Sequence, residues 1–140
     1  MKIYYADLYP HKALAAQRRD QLKSLGFDVV STWMDESHDG NIHTEQLTVE
    51  EHIFYGTRDL KEIDQCDMLV LNQPSPTEVV TMNPRYLSRG GRHTEFGYAL
   101  KAGKALVVIG ERENIFHFQP EVVSCNNWDA FISWLTAVRK

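Results

Sequence analysis

Cysteine is scarce in this chain, which has 2 cysteines among 140 residues. Cys66 and Cys125 lie far apart in the sequence, and neither belongs to a Cys-x-x-Cys pair. The sequence therefore indicates neither a disulfide framework nor a cysteine-rich zinc site. A reducing cytosol is the simplest compartment for such a chain, so we expect a cytoplasmic protein.

Long hydrophobic runs are missing as well. The longest apolar stretches, residues 68–71 and 105–109, fall far short of the roughly 20 residues that a membrane-spanning helix needs. Residues 1–5 lack the apolar core of a signal peptide. We expect a protein that is neither secreted nor membrane-spanning and that has no membrane partner.

The chain also lacks an excess of positive charge. It has 15 Lys and Arg residues against 19 Asp and Glu residues, which gives a net charge of −4. A nucleic acid polymer is therefore not expected as a partner, because non-specific binding to such a polymer depends on basic residues. The length, with 43% hydrophobic and 24% charged residues, is typical of a single globular domain spanning residues 1–140.

Short apolar runs alternate with longer amphipathic segments. The pattern predicts strands at residues 3–6, 27–31, 68–72 and 105–109, helices at residues 12–25, 48–65, 93–102 and 128–138, and loops at residues 33–48 and 73–92. Thr48 and Glu51 have the spacing of a capping box. Repeated βα units predict an α/β fold, a three-layer Rossmann-like (flavodoxin-like) sandwich with a five-stranded parallel sheet, whose ligands bind at the carboxyl ends of the strands.

The most informative stretch joins the second long loop to the third helix and reads Ser-Arg-Gly-Gly-Arg-His-Thr-Glu-Phe-Gly-Tyr-Ala-Leu from residue 88 to residue 100. Gly90 and Gly91 let a ligand approach the backbone closely, next to a helix N-terminus that favours negative charge. Glu95 is predicted in the first helical turn, where the helix dipole would lower its pKa and keep it ionised as a nucleophile. Gly97 is expected to leave room beside it. The alternative is that Glu95 only complements the helix dipole.

Several motifs together resemble one enzyme superfamily in order and spacing. They are Arg58-Asp59-Leu60, Cys66-Asp67-Met68-Leu69-Val70-Leu71, Glu95-Phe96-Gly97-Tyr98-Ala99-Leu100 and Gly103-Lys104, and they resemble the nucleoside 2-deoxyribosyltransferase and 2′-deoxynucleoside 5′-phosphate N-hydrolase superfamily. The resemblance covers residues 2–104. It implies that Asp59 and Glu95 cooperate in breaking the bond between a base and deoxyribose, and that Tyr4 holds the glutamate or the sugar.

Glycoside cleavage needs a carboxylate facing an oxocarbenium-like carbon and an acid that helps the leaving group depart. In this hypothesis Glu95 forms a covalent glycosyl intermediate, which water resolves in a hydrolase and a second base resolves in a transferase. Asp59 protonates the departing base. Considered without the resemblance, Asp59 can equally be a solvated helix charge beside Arg58, and Tyr4 can be a core aromatic residue.

A wider set of residues is expected to bind the substrate because it follows strands or flanks the glutamate: Ser88, Arg89, Gly90, Gly91, Arg92, His93, Asn114 and Trp33. The two arginines and the glycine amides can hold a phosphate. This would replace the phosphate loop that relatives acting on monophosphates carry after the first strand, where residues 7–12 differ. Trp33 can stack on a base. Each of these side chains can instead stabilise a loop, the core or a subunit contact.

Six histidines raise the question of a metal ion, and His38, His43 and His52 lie near acidic residues. Their spacing matches no metal-binding motif. We therefore expect no metal ion and no cofactor.

The resemblance implies an enzyme that takes a nucleoside or nucleotide as its substrate and assembles as a homodimer or a higher homo-oligomer. Two alternatives stay open at this point. One is a binding or sensing module that holds a nucleotide without turnover. The other is a phosphoribohydrolase, because Arg89-Gly90-Gly91 followed by Thr94-Glu95 partly matches the Pro-Gly-Gly-x-Gly-Thr motif of that family.

Overall fold

A computed structural model describes residues 1–36, 47–82 and 90–139. The strands are β1 (Lys2–Ala6), β2 (Asp28–Val29), β3 (Met68–Asn72), β4 (Ala105–Ile109) and β5 (Val122–Cys125). The helices are α1 (Lys12–Ser24), α2 (Val49–Gln65), α3 (Pro76–Thr81), α4 (Gly91–Lys101) and α5 (Trp128–Arg139), with short 3-10 turns at Tyr9–His11, Trp33–Asp35 and Ile115–Phe118.

The five strands form one parallel sheet in the order β2-β1-β3-β4-β5. This is the flavodoxin-like order, in which the chain reverses its direction of winding between β1 and β3. Every residue of β3 is buried, as expected for an apolar strand covered on both faces. The predicted fold class is confirmed.

Two consecutive tyrosines of β1 point to opposite faces of the sheet, because side chains alternate along a strand. The Tyr4 hydroxyl reaches Glu95 on α4. The Tyr5 hydroxyl accepts a hydrogen bond from Arg18 on α1, and its ring packs edge-on against Trp128 of α5. Helices α2 and α4 therefore cover one face, and α1 and α5 cover the other.

Local signals predicted several elements well. Strands β3 and β4 have the predicted bounds, and Thr48 and Glu51 form the predicted capping box at the start of α2. The description of residues 73–92 as a loop is wrong for residues 76–81, which form α3. Its first residue is a proline, and its own capping box joins Ser75 to Glu78.

Two other differences concern packing and pairing. Strand β2 is limited to two residues, because only these pair with β1. The apolar stripe of α2 is buried at Ile63 but exposed at Val49 and Ile53. No helix in the described ranges is long and apolar enough to cross a membrane.

Candidate active site

The centre of the candidate site is a hydrogen bond between a strand and a helix. The hydroxyl group of Tyr4, in the buried strand β1, donates to Oε2 of Glu95 on α4. The tyrosine ring is fully buried, and the strand that carries it is paired on both sides. One carboxylate oxygen of Glu95 is therefore held by a rigid part of the fold.

The predicted effect of the helix dipole on Glu95 is wrong. Helix α4 begins at Gly91, two residues earlier than predicted, so Glu95 is its fifth residue and lies beyond the first turn. Burial, together with the charge of Asp59, raises the pKa of Glu95 to about 8, although the hydrogen bond from Tyr4 acts in the opposite direction. The carboxyl group is mostly protonated at pH 7.

Asp59 lies on α2 and is held by its neighbour in the sequence. Arg58 Nε and Nη2 donate to Oδ1 of Asp59 at 3.0 and 2.8 Å, and Nη2 also lies 2.5 Å from Oε1 of Glu36. Burial raises the pKa of Asp59 to about 6, although Arg58 lowers it. Asp59 is thus not a freely solvated helix charge.

The two predicted carboxyl groups belong to one electrostatic cluster. The charge of Asp59 raises the pKa of both Glu95 and Tyr4, so all three groups lie in the layer between α2, α4 and β1. In a desolvated site, two carboxyl groups with different pKa values can take different roles, one as the acid and the other as the nucleophile.

A third carboxylate in this layer was missed from the sequence. Glu62 also raises the pKa of Glu95 and Tyr4, and its oxygens accept from the backbone N–H and the hydroxyl group of Thr32 at 3.1 and 2.6 Å. Glu62 follows Asp59 by three residues, a spacing that puts both side chains on the same side of a helix, and this spacing could have predicted that they lie close together.

The glycines around Glu95 differ in what they contribute. Gly90 caps α4 with φ of +81°, a left-handed conformation that favours glycine. A Cβ atom on Gly91 or Gly97 would meet nothing within 4 Å. Gly91 lies four residues before Glu95 and shares its side of the helix, whereas Gly97, two residues after it, does not. The expectation that Gly97 makes room beside Glu95 is therefore wrong, and Gly91 fits that description.

Arg92 and His93 converge on Glu113 rather than on an open loop. Arg92 is buried, with Nη2 at 2.8 Å from Oε1 of Glu113 and Nε donating to Oε1 of Gln73 at 3.3 Å. His93 Nε2 lies 2.6 Å from the same Glu113 oxygen, and its Nδ1 is buried without a partner in the described part of the chain. The guanidinium group expected to bind a phosphate is thus engaged by protein groups.

Asn114 and His117 belong to the same neighbourhood. The side-chain oxygen of Asn114 accepts from the backbone N–H of Phe116 and starts the 3-10 turn. Nδ1 of the buried His117 accepts from the backbone N–H of Glu113 at 3.1 Å, and its ring lies 5.5 Å from that of His93. Burial lowers the pKa of both histidines, which keeps them neutral at pH 7.

Trp33 does not present a free stacking surface. It is 5% exposed, and its indole N–H donates to the backbone oxygen of Tyr5 at 2.7 Å. The expectation that it stacks on a base is wrong, because this hydrogen bond and its contact with Tyr9 fix it in the core.

Some expected residues fall outside the described ranges. Ser88 and Arg89 are among them, as are His38 and His43. Over residues 1–36, 47–82 and 90–139, no group of three or more His, Cys, Asp or Glu side chains is arranged to hold a metal ion.

Two solved structures share this fold. A 2-deoxyribosyltransferase from the psychrotolerant bacterium Bacillus psychrosaccharolyticus is 21% identical with a TM-score of 0.64, over 92% of this chain and 88% of that one. The CMP N-glycosidase BcmB from Clostridium botulinum is 14% identical with a TM-score of 0.55, over 98% and 99% of the two chains. No protein-family model and no curated protein matches the chain. The likeness establishes that the chain has the fold of these two proteins, which the resemblance implied.

Proposed function

We propose that this protein is an N-glycosidase or a deoxyribosyltransferase that cleaves the base–sugar bond of a nucleoside or nucleotide. The observation that carries the proposal is the Tyr4–Glu95 hydrogen bond next to the charge of Asp59. The two proteins with the same fold, one named as a deoxyribosyltransferase and one as an N-glycosidase, support the same class of reaction.

The pKa values of the two carboxyl groups support a shared proton. With values of about 8 for Glu95 and about 6 for Asp59, the pair holds one proton at pH 7, mainly on Glu95. In the reactive form this proton has moved to Asp59. Glu95 is then the nucleophile and Asp59 is the acid.

In the first step a carboxylate oxygen of Glu95 forms a bond with the anomeric carbon while the bond between that carbon and the base nitrogen breaks. The base leaves with the electron pair and takes the proton of Asp59. In the second step water or another base attacks the anomeric carbon, Asp59 takes up the proton of the attacking group, and the bond to Glu95 breaks.

Tyr4 positions the nucleophile in this scheme. Its hydroxyl group occupies one oxygen of Glu95, which leaves the other oxygen for the anomeric carbon. The same hydrogen bond stabilises the ionised carboxylate and so favours the reactive location of the proton.

The test is release of free base from a panel of nucleosides and their monophosphates, with and without an acceptor base. We expect turnover by the wild-type protein and a loss of about a thousandfold or more in Glu95→Gln, because the amide cannot form the glycosyl bond. Glu50→Gln, which changes an exposed glutamate of α2, is the matched control and should retain full activity.

Equal rates of base release in the wild-type protein and Glu95→Gln across the panel would overturn the proposal. Tight stoichiometric binding with intact ligand recovered would also contradict it, and would support the non-catalytic alternative. Detection of a sugar adduct on Glu95 by mass spectrometry would support the covalent step directly.

A further inference from the structure

A cavity of about 630 Å³ lies on the face of the sheet opposite to the Tyr4–Glu95 pair. The walls of this second cavity come from α1, the start of α5 and the segments after β3, β4 and β5. Tyr4, Asp59 and Glu95 are not among its lining residues. Its volume lies within the range of pockets that bind small molecules.

One wall of the second cavity combines an aromatic ring with a guanidinium group. The guanidinium carbon of Arg18 lies over the Trp128 ring, 4.6 Å from its centre, in a cation–π contact. Pro74 and Pro76 contribute further apolar surface. Aromatic rings and arginine planes of this kind are the surfaces on which proteins stack unpaired bases.

Several polar groups on the wall retain free hydrogen-bonding capacity. Asn72 is 7% exposed, and while its Nδ2 donates to Asp7 at 3.0 Å, its Oδ1 has no partner among the described residues. The side-chain oxygen of Asn127 accepts from the backbone N–H of Ala130 at 2.8 Å, which leaves its amide N–H groups free of described partners. One acceptor and one amide donor thus border the same cavity.

Arg18 adds further donors to this set. Its Nη1 donates to the Tyr5 hydroxyl at 2.8 Å, and its Nε and Nη2 bond to no side chain or backbone group that the structure describes. A lining that offers both free donors and a free acceptor suits the edge of a heterocycle that itself both donates and accepts.

The charges around the second cavity balance. Arg18 and His11 carry positive charge, and Glu78 and Glu111 carry negative charge. Both ring nitrogens of His11 face carboxylates, with Nδ1 at 2.6 Å from Asp7 Oδ1 and Nε2 against Glu78. His11 is therefore not free to bind an anion, and the cavity has no net positive charge that would select a phosphate.

We propose that the second cavity binds an uncharged planar heterocycle with a mixed donor and acceptor edge, that is, a free nucleobase or its nucleoside. The heterocycle packs against the wall formed by Trp128 and Arg18, and its edge is bonded by Asn72 and Asn127. This proposal stands on the cavity alone and does not require the reaction at Glu95.

The test is titration of the ¹⁵N-labelled protein with adenine, cytosine, uracil and their nucleosides, in the Glu95→Gln background so that no ligand is consumed. The indole N–H of Trp128 donates to Gln21 and gives a resonance that reports on this wall. We expect a saturable shift of that resonance, with affinity about tenfold weaker in Arg18→Met and in Asn127→Ser.

The two variants remove different contacts. Arg18→Met also loses the Tyr5 hydrogen bond, whereas Asn127→Ser keeps an oxygen that can cap α5 and protects the fold. Arg19→Met is the matched control, because Arg19 lies next to Arg18 on α1 but pairs with Asp20 and Asp35 instead. It should leave the affinity unchanged.

An unmoved Trp128 resonance at millimolar concentrations of every ligand would overturn the proposal. An equal affinity in the Glu95→Gln parent and in its Arg18→Met and Asn127→Ser derivatives would do the same. A shift caused by inorganic phosphate alone would identify an anion site and also refute it. The two proposals fail separately, since base release is measured at Glu95 and binding at Trp128. A shift seen with the base but absent with its nucleoside identifies the free base as the ligand.

Discussion

At the scale of single residues, the most informative pair is Tyr4 and Glu95. The sequence motif around Glu95 was sufficient to select it, but not to predict its protonation. That property depends on burial and on Asp59, which lies 36 positions earlier in the chain. The same limit applies to Glu62, whose bonds to Thr32 join segments that are distant in sequence. Local patterns identify such residues only when a motif contains them.

The shared proton predicts a bell-shaped dependence of kcat/KM on pH. In the proposed mechanism the active form holds one proton on the pair, so activity should rise near pH 6 and fall near pH 8, the pKa values of Asp59 and Glu95. Measurement of initial rates of base release from pH 4.5 to pH 10 checks this expectation. A rate that stays constant across both values would contradict it.

Tyr4→Phe tests the positioning role of the tyrosine. Loss of the hydroxyl group removes a hydrogen bond that lowers the pKa of Glu95, so the upper limb of the pH profile should move to higher pH. The proton then resides on Glu95 more often, and we expect kcat to fall about ten- to a hundredfold. Tyr98→Phe is the control, because the hydroxyl of Tyr98 bonds Asp64 at the surface. A fall in kcat without movement of the limb would argue against this role.

At the scale of elements, helix α4 is the one whose start matters most for the prediction, because it carries Glu95. Sequence signals placed the start of this helix correctly to within two residues. The raised pKa of Glu95 comes mainly from burial and from the charge of Asp59, and neither can be read from the helix boundary. The prolines around α3 favour a loop by composition, which hides this helix. A proline in the first helical turn and the Ser75–Glu78 spacing are nevertheless helix-start signals. By contrast, the Thr48 capping box was found because it needs only neighbouring residues.

Gly91→Ala and Gly97→Ala form a matched pair on α4. Neither new methyl group meets an atom within 4 Å, and alanine favours a helix over glycine by about 0.5–1 kcal/mol. Both variants should therefore fold at least as stably as the wild-type protein in a thermal melt. Only Gly91→Ala places its methyl group on the side of Glu95, so we expect its KM to rise several-fold while that of Gly97→Ala stays unchanged. Equal KM values in the two variants would contradict this assignment.

The contact between His11 and Glu78 joins the turn after β1 to α3. The hydrogen bond to Asp7 raises the pKa of His11 to about 9, against the opposing effect of burial. A pKa that is higher in the folded state than its unfolded value of about 6.5 stabilises the fold fully below pH 6.5, and that stability is lost as the pH rises through 9.

His11→Gln should therefore reduce the free energy of unfolding by about 1–2 kcal/mol more at pH 6 than at pH 10, after allowance for the partial exposure of Glu78. Urea unfolding at the two pH values measures the difference. His52→Gln, a change at an exposed position of α2, should show no such dependence. If His11→Gln lowers the free energy of unfolding equally at pH 6 and pH 10, the charge of His11 does not stabilise its contacts with Asp7 and Glu78.

At the scale of the whole molecule, the sheet separates two polar regions. The Tyr4–Glu95–Asp59 cluster lies on one face, and the second cavity lies on the other. The alternation of apolar runs and helices was sufficient to predict this architecture, because β3 and β4 are continuous apolar strands. It could not reveal the second cavity, whose walls come from four separate segments that meet only after folding.

Two expectations at this scale stay predictions. The homodimer or higher homo-oligomer implied by the resemblance is checked by sedimentation equilibrium, which should give at least twice the mass of the 16.2 kDa chain. The cytoplasmic location is checked by fractionation of cells that express the chain.

The neighbouring tyrosines of β1 have a consequence for engineering. Removal of a single residue upstream within that strand would turn each ring toward the layer that its neighbour now occupies, because side-chain direction inverts with every position. The carboxyl group on α4 and the arginine on α1 would lose their hydroxyl partners at the same moment. A deletion or graft that changes the length of this strand therefore alters the contacts on both faces of the sheet. Only a substitution that keeps its length can change the contacts on one face and leave those on the other intact.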